Sequence, residues 1–443
     1  MNKHLCLILV LLLIALSGEQ SSAAKGYAGL QCGAAEVSIT PDVHSMDVPL
    51  GGYAERLARP CVGVHDDVYA HAIVLKRGSS SVAIVSMDLC FLPASIHHAI
   101  ELRLKQLGLR QFAGANLFLA ATHSHSAPDP LAMDTRNTIS GIKGWTVFNR
   151  KLLDFTAGRA AEAVKDAMGA MEPVTVTFAA QAVPSLVRNR RNDPVSDTAL
   201  TVVNFRRANG SSAAVIVHLA AHPTIFSGRS MEISSDFPGV IVQDIQAHEG
   251  GGCRCLFLNG AEGDASAAGF DNLKDDARVK AYGHAVSEVA LKLLTEPGTP
   301  ENQPQLKAWY APVNLPPTQP DGVFMLAAMG IGLTMDQAKH LVKTVMPTRT
   351  EISLIRVGQL LLMGFPCEPT GAIGMDARSV AQASAGLHGL PVALVNDWLA
   401  YALTPQQYKS GRYEAGMSFY GPELGPTLLN QLKHSLLTHL PRR

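Results

Sequence analysis

Short apolar runs alternate with stretches of helical periodicity along most of the chain. Ala70 to Lys76, Ser81 to Met87, Ala115 to Ala121, Val174 to Ala179, Leu200 to Phe205 and Ala213 to Leu219 read as strands. So do Cys255 to Leu258, Ala308 to Val313, Glu351 to Ile355, Leu360 to Met363 and Pro391 to Val395. Each is apolar and bounded by turn-forming residues. Ala94 to Leu107, Phe148 to Met168 and Ala277 to Leu294 carry apolar residues at helical spacing. Asp236-Phe237-Pro238-Gly239 opens a further helix, with Asp236 placed as its N-cap. The alternation predicts an α/β fold: a large mixed β-sheet core flanked by helices, with the active site at strand C-terminal ends. One segment departs from it. Pro304 to Asp321 holds five prolines and precedes the apolar run Gly322 to Leu333. The stretch from about 304 to 345 reads as an insertion, either packed on the core or forming an apolar lid for an acyl chain.

Several apolar runs end in polar residues. Thr122-His123-Ser124-His125-Ser126 follows a buried strand, and residues i and i+2 of an extended chain face the same way. The pair suggests a metal site, or a metal ligand beside an acid/base; on an exposed strand it would mean nothing. His222 ends the next such run and is followed by Pro223, whereas His218 reads as a satisfied core histidine. Leu256 to Asn259 leads into a loop holding Glu262, Asp264 and Ser266, and Leu361 to Phe365 leads to Glu368. Histidine nitrogens with one carboxylate, and one position left for water, make a normal zinc set. A buried Glu368 needs such a partner, or an arginine or helix end, because an unpaired carboxylate is costly to bury.

Composition narrows the classes. Lys plus Arg and Asp plus Glu are both 37, which gives no electrostatic case for nucleic acid. Lys3 and His4, the apolar Leu5 to Leu16 and the small Ser22-Ala23-Ala24 read as a signal peptide over 1–24. Export to the periplasm or beyond follows, with 25–443 as one catalytic domain. No later window suffices for a membrane span. Export permits disulfides; Cys32 and Cys61 are the pair to test first, and Cys90 reads as a free core thiol. No protein partner is indicated.

Together these segments resemble the neutral (non-lysosomal) ceramidase family, specifically its N-terminal catalytic domain. The resemblance runs in order through Ile39-Thr40-Pro41, Gly51-Gly52-Tyr53, the Thr-His-Ser-His-Ser motif, Ala221-His222-Pro223, Ser235-Asp236 and Gly263-Asp264-Ala265-Ser266. It continues through Glu368, Asn396 with Tyr401, Thr404 and Tyr408, then Tyr413-Glu414-Ala415 and Gly421-Pro422. The family's Gly-Asp-Val-Ser-Pro-Asn reads Gly-Asp-Ala-Ser-Ala-Ala here, and the chain is expected to lack the family's immunoglobulin-like C-terminal domain.

The resemblance implies one Zn2+ held by His123, His222, Glu368 and Tyr401. It implies His125 as a proton-handling residue, Ser266 as nucleophile or carbonyl-positioning residue, and Arg190 as an active-site arginine. The implied activity is hydrolysis of an N-acyl lipid amide, ceramide-like, with peripheral membrane contact open. The alternatives are hydrolysis of a different amide or ester, or a weakly catalytic zinc-containing lipid- or glycan-binding protein. The motifs Gly-x-Ser-x-Gly and His-Glu-x-x-His are absent, which disfavours a simple serine hydrolase and a zincin.

Overall fold

The strands gather into three main sheets, and each sheet has a parallel pair at one edge. The computed structural model describes residues 29–440 apart from 139, 143, 297, 321 and 331, so the expected signal peptide, 1–24, lies outside the described residues. The first sheet has five strands, in the order Leu117–Ala121, Ser80–Met87, Tyr69–Arg77, Gln31–Ser38 and Glu172–Pro173. The second has four: Arg254–Asn259, Ser212–Leu219, Ala199–Arg206 and Thr175–Ala182. The third also has four: Leu306–Asn314, Arg349–Val357, Leu360–Gly364 and His388–Val392. The parallel pairs join Ser80–Met87 to Leu117–Ala121, Ser212–Leu219 to Arg254–Asn259, and Leu360–Gly364 to His388–Val392. The remaining pairings within these sheets are antiparallel. The mixed α/β class therefore holds, with the strands shared among sheets.

A parallel pair needs a crossover, and each pair takes a helix: Ala94–Gln106, Asp236–Glu249 and Gly371–Ala385. Ile73, Ile84 and Phe118 of the first sheet meet Val203, Ile216 and Leu256 of the second in one core. Ile355, Leu362 and Leu390 of the third join them. Helices cover the opposite faces. Ile96, Ile100 and Leu104, with Leu152, Ala160 and Val164, cover the first sheet. Burial on both faces is why these strands read as continuous apolar runs. The strand ends are tied together across sheets: Ser86 donates its hydroxyl to the Phe257 carbonyl, and Ala393 N–H to the Asn259 carbonyl at 3.0 Å.

The 304–345 stretch is a packing element. It contains the strand Leu306–Asn314 and the helices Gly322–Gly330 and Met335–Val345, the last opened by a Thr334/Gln337 capping box. Met325, Ala328 and Leu333 join the outer core of the third sheet, and none of the stretch's described residues lines the central cavity.

Three local expectations change. The strand placed at Pro391–Val395 stops at Val392, because Leu394 and Asn396 adopt φ of 56° and 63°. Ser235, not Asp236, occupies the N-cap; Asp236 is the first helical residue, and its carboxylate accepts the Ile225 and Phe226 N–H groups. Cys32 and Cys61 lie in separate core clusters, and both are unpaired buried thiols, as is Cys90.

Behind His123 sits a buried ionic cluster. His71 Nδ1 lies 3.3 Å from Glu36 and its Nε2 3.7 Å from Asp88, which also accepts the Thr122 hydroxyl at 3.2 Å. Burial alone would lower the His71 pKa, but Asp88 and Glu36 outweigh it and raise it to about 9. The folded-state value exceeds the unfolded one, near 6.5. The charged histidine therefore stabilises the fold fully below about pH 6.5, and that contribution is lost as pH rises through about 9, on the order of a few kcal/mol. We predict a falling urea midpoint between pH 6.5 and 9.5 that flattens in His71→Asn. An equally steep fall in that variant would assign the loss elsewhere.

Candidate metal centre

One strand end from each sheet contributes to a single point. His123 follows Leu117–Ala121 with φ of 73°, His222 follows Ser212–Leu219, and Glu368 follows Leu360–Gly364. Both imidazoles are fixed from behind: His123 Nδ1 donates to the Cys90 carbonyl and His222 Nδ1 to the Ala265 carbonyl at 3.0 Å. With Nδ1 carrying the proton, each ring presents a bare Nε2. Glu368 Oε2 lies 3.3 Å from both Nε2 atoms, and all three residues are at most 3% exposed. Glu368 and Tyr401 are opposite partners in a short parallel ladder, which brings the Tyr401 hydroxyl within 3.4 Å of His222 Nε2.

The charges of the cluster are set by its burial and by the charges around it. Burial, then Arg190 and His123, hold the His222 pKa down to about 3, so the ring is neutral. Burial would raise the Glu368 pKa, yet His123 and His222 hold it well below the ordinary carboxylate range. The neutral His222 ring thus faces an ionised oxygen, and Glu368 Oε2 has no hydrogen-bond partner. Ring nitrogens and a carboxylate oxygen from three buried groups thus converge, a donor set of the kind that holds a cation. His123, His222 and Glu368 offer ligand atoms that all lie within 4.8 Å of one another.

The supporting contacts come from residues that the sequence did not single out for this role. Asn259, at the end of its strand, donates to the Thr122 carbonyl at 3.0 Å and to the Ala221 carbonyl at 2.9 Å. It thereby fixes the residue before His123 and the residue before His222 with one side chain. Trp398 Nε1 donates to Glu368 Oε1 at 3.1 Å, leaving Oε2 for the centre. His218 is a core histidine, as expected, bonded to the Pro391 carbonyl at 2.6 Å.

His125 occupies a different place from His123. Its Nε2 lies 3.2 Å from His123 Nε2, and its ring packs edge-on against Tyr53 at 5.0 Å between centroids. Gly52 lies beneath that ring with φ of 86°, and a Cβ there would come within 2.4 Å of it, so only glycine fits. Burial, then His123 and His222, push the His125 pKa well below the usual histidine value.

Arg190 donates to the Tyr401 hydroxyl at 3.1 Å, to the Gly263 carbonyl at 2.7 Å and to Glu414 at 2.8 Å. The guanidinium faces the phenol oxygen, but burial, then the Glu368 charge, outweigh it and hold the Tyr401 pKa well above its ordinary value. Ser266 is joined to His222 by a backbone bridge, and its hydroxyl bonds the Arg188 carbonyl at 3.5 Å; it is not among the cavity-lining residues. Tyr413 does line the cavity, 5.8 Å from the Tyr401 ring, and only its place in a motif hinted at it.

The cavity above the centre has a volume of about 210 Å³. His123, His125, Glu368 and Tyr401 form its floor, while Leu50, Phe91, Leu131, Trp145, Trp398 and Met417 make its walls apolar. Phe91 and Trp398 stack at 4.3 Å. The space suits part of a hydrocarbon chain ending at a polar group over the centre.

Comparison with known proteins identifies the family. The profile described as neutral/alkaline non-lysosomal ceramidase, N-terminal, matches residues 30–252, a span that contains His123, His125, Arg190 and His222. The neutral ceramidase of Pseudomonas aeruginosa is 24% identical over 456 aligned positions, covering 85% of this chain and 67% of that protein. The neutral ceramidase of Mycobacterium tuberculosis is 34% identical over 73 positions, 16% of this chain and 12% of that protein. Among solved structures, neutral ceramidase from Pseudomonas aeruginosa superposes with a TM-score of 0.79 at 21% identity, covering 94% of this chain and 76% of that one.

Proposed function

The chain belongs to the neutral/alkaline non-lysosomal ceramidase family, and on that premise we propose that it is an exported, zinc-dependent amidohydrolase of a ceramide-like N-acyl lipid. Water and the amide become a fatty acid and a sphingoid-type amine. The observation that carries this reading is the convergence of His123 Nε2, His222 Nε2 and the unpartnered Glu368 Oε2, with His123 and Glu368 lining an apolar cavity. Two neutral imidazoles, a carboxylate and the Tyr401 oxygen form a donor set that suits zinc.

Zinc bound there supplies a Lewis acid that polarises the amide carbonyl and acidifies water. The chain's own groups do the rest. His125, neutral and bordering the cavity, takes the proton from the attacking water and returns it to the departing amine nitrogen as the C–N bond breaks. Arg190 donates to the Tyr401 oxygen and fixes its position at the centre. Phe91, Trp398 and Met417 hold the hydrocarbon against the reacting carbonyl. We assign Ser266 a positioning role beside His222.

Hydrolysis of a panel of N-acyl sphingosines and simpler N-acyl amines, with and without chelator, tests the reading. We expect fatty acid release that chelator removes and added zinc restores. A zinc-replete protein that binds these lipids and cleaves none would overturn it.

A further inference from the structure

One corner of the cavity is polar and far from fully explained by the metal centre. Asp129 lies in its wall and is 7% exposed. Its Oδ1 accepts the Leu131 N–H at 3.0 Å, and its Oδ2 accepts the Thr146 hydroxyl at 2.5 Å. Thr146 also lines the cavity. Its single hydroxyl proton is spent on Asp129, so it can only accept from anything that enters. A carboxylate has about four acceptor positions, and two are used. The corner therefore presents acceptors and offers no donor from these two residues.

The charge at this corner lacks an ion-pair partner among the described residues. The guanidinium whose charge reaches it most, Arg56, is itself buried and donates to the carbonyls of Gly51, His125, Ser227 and Ser230. A carboxylate held in an apolar wall with spare acceptor capacity is costly unless a donor from the ligand meets it. A hydrocarbon chain has none to offer.

We propose that Asp129 and Thr146 form a specificity subsite that accepts a hydroxyl or ammonium donor on the amine portion of the substrate and turns away a carboxylate. The proposal rests on the amide-hydrolase reading and assigns to Asp129 and Thr146 the recognition of the amine portion, which that reading gives to no residue.

Four amides sharing one acyl chain test it: an N-acyl amino alcohol, an N-acyl diamine, an N-acyl alkylamine and an N-acyl amino acid. Turnover is read as kcat and KM. Binding is read separately by quenching of Trp145 and Trp398, which line the cavity. The wild type is expected to favour the first two over the alkylamine by about 10- to 100-fold, through KM rather than kcat. The amino-alcohol and diamine arms tell which donor the corner prefers. In Asp129→Asn the preference should shrink toward parity and the amino acid amide should gain, while the carboxamide oxygen can keep the Leu131 N–H bond. Wild-type protein that binds and cleaves all four alike overturns the subsite, whatever the variant does. Selective binding without cleavage of any amide would keep the subsite and overturn the hydrolase reading instead.

Discussion

Glu368→Gln will leave a folded protein without its metal and without measurable turnover. Glu368 Oε2 stands 3.3 Å from the bare Nε2 atoms of both His123 and His222. Oε1 is already bonded to Trp398. A glutamine of the same shape keeps the Trp398 contact through its oxygen and turns an NH2 group toward the two ring nitrogens. That amide can donate where the carboxylate could not, so the buried cluster becomes satisfied without a cation. The substitution thus removes the anionic ligand and relieves the lone-pair crowding that makes a cation favourable. Lewis-acid assistance is worth several kcal/mol, and each ~1.4 kcal/mol is tenfold, so kcat/KM should fall by roughly a thousandfold or more. Elemental analysis should show about one zinc per wild-type chain and little in the variant. The wild-type melting temperature should rise with added zinc while that of the variant stays flat. Full metal stoichiometry in Glu368→Gln would remove Glu368 from the ligand set.

How far the site could be read from the sequence depends on which interactions are local. Thr122 to Ser126, Ala221-His222-Pro223 and Phe365 to Glu368 were legible because each follows a buried strand whose apolar run is unmistakable. The different placement of the two histidines of the His-x-His pair was not written in its spacing. His123 adopts φ of 73°, which breaks the regular alternation of an extended chain, and its Nδ1 is claimed by the Cys90 carbonyl. Both facts depend on the neighbouring strand end. Asn259 reads locally as a polar strand terminus; its clamp on Thr122 and Ala221 exists only once two sheets meet.

The fold divides in the same manner. Strand positions were recoverable from apolar runs, since burial on both faces leaves a strong local signal. The split into three sheets was not, because pairing partners are chosen by packing among Ile73, Ile216, Leu362 and their neighbours. The early stop at Val392 follows from the left-handed Leu394 and Asn396. Asn396 is held there by bonds to the Leu119 N–H at 2.9 Å and to Ser353 at 2.9 Å, both from distant parts of the chain. Asp236 shows how a capping residue type can be diverted: its carboxylate serves the loop after His222 instead of acting from the N-cap of its helix.

His125→Ala should lose turnover while keeping the metal, which separates it from its neighbour in the motif. His125 meets the centre through Nε2, 3.2 Å from His123 Nε2, and through edge-on packing on the His123 ring at 4.6 Å, while His123, His222, Glu368 and Tyr401 make up the proposed four ligands without it. Removing the ring deletes the group we propose to carry the proton from water to the amine, a contribution of roughly 10²- to 10⁴-fold in kcat. Substrate affinity should change less, because Phe91, Trp145 and Trp398 still hold the hydrocarbon. The deleted ring leaves a space over Gly52 and beside Tyr53, so added imidazole should restore part of the rate. Such rescue distinguishes a proton carrier from a residue that only fills space. If the variant loses its zinc, His125 belongs among the ligands. If kcat is unchanged, another group moves the proton, and the asymmetry between the two histidines has no catalytic meaning.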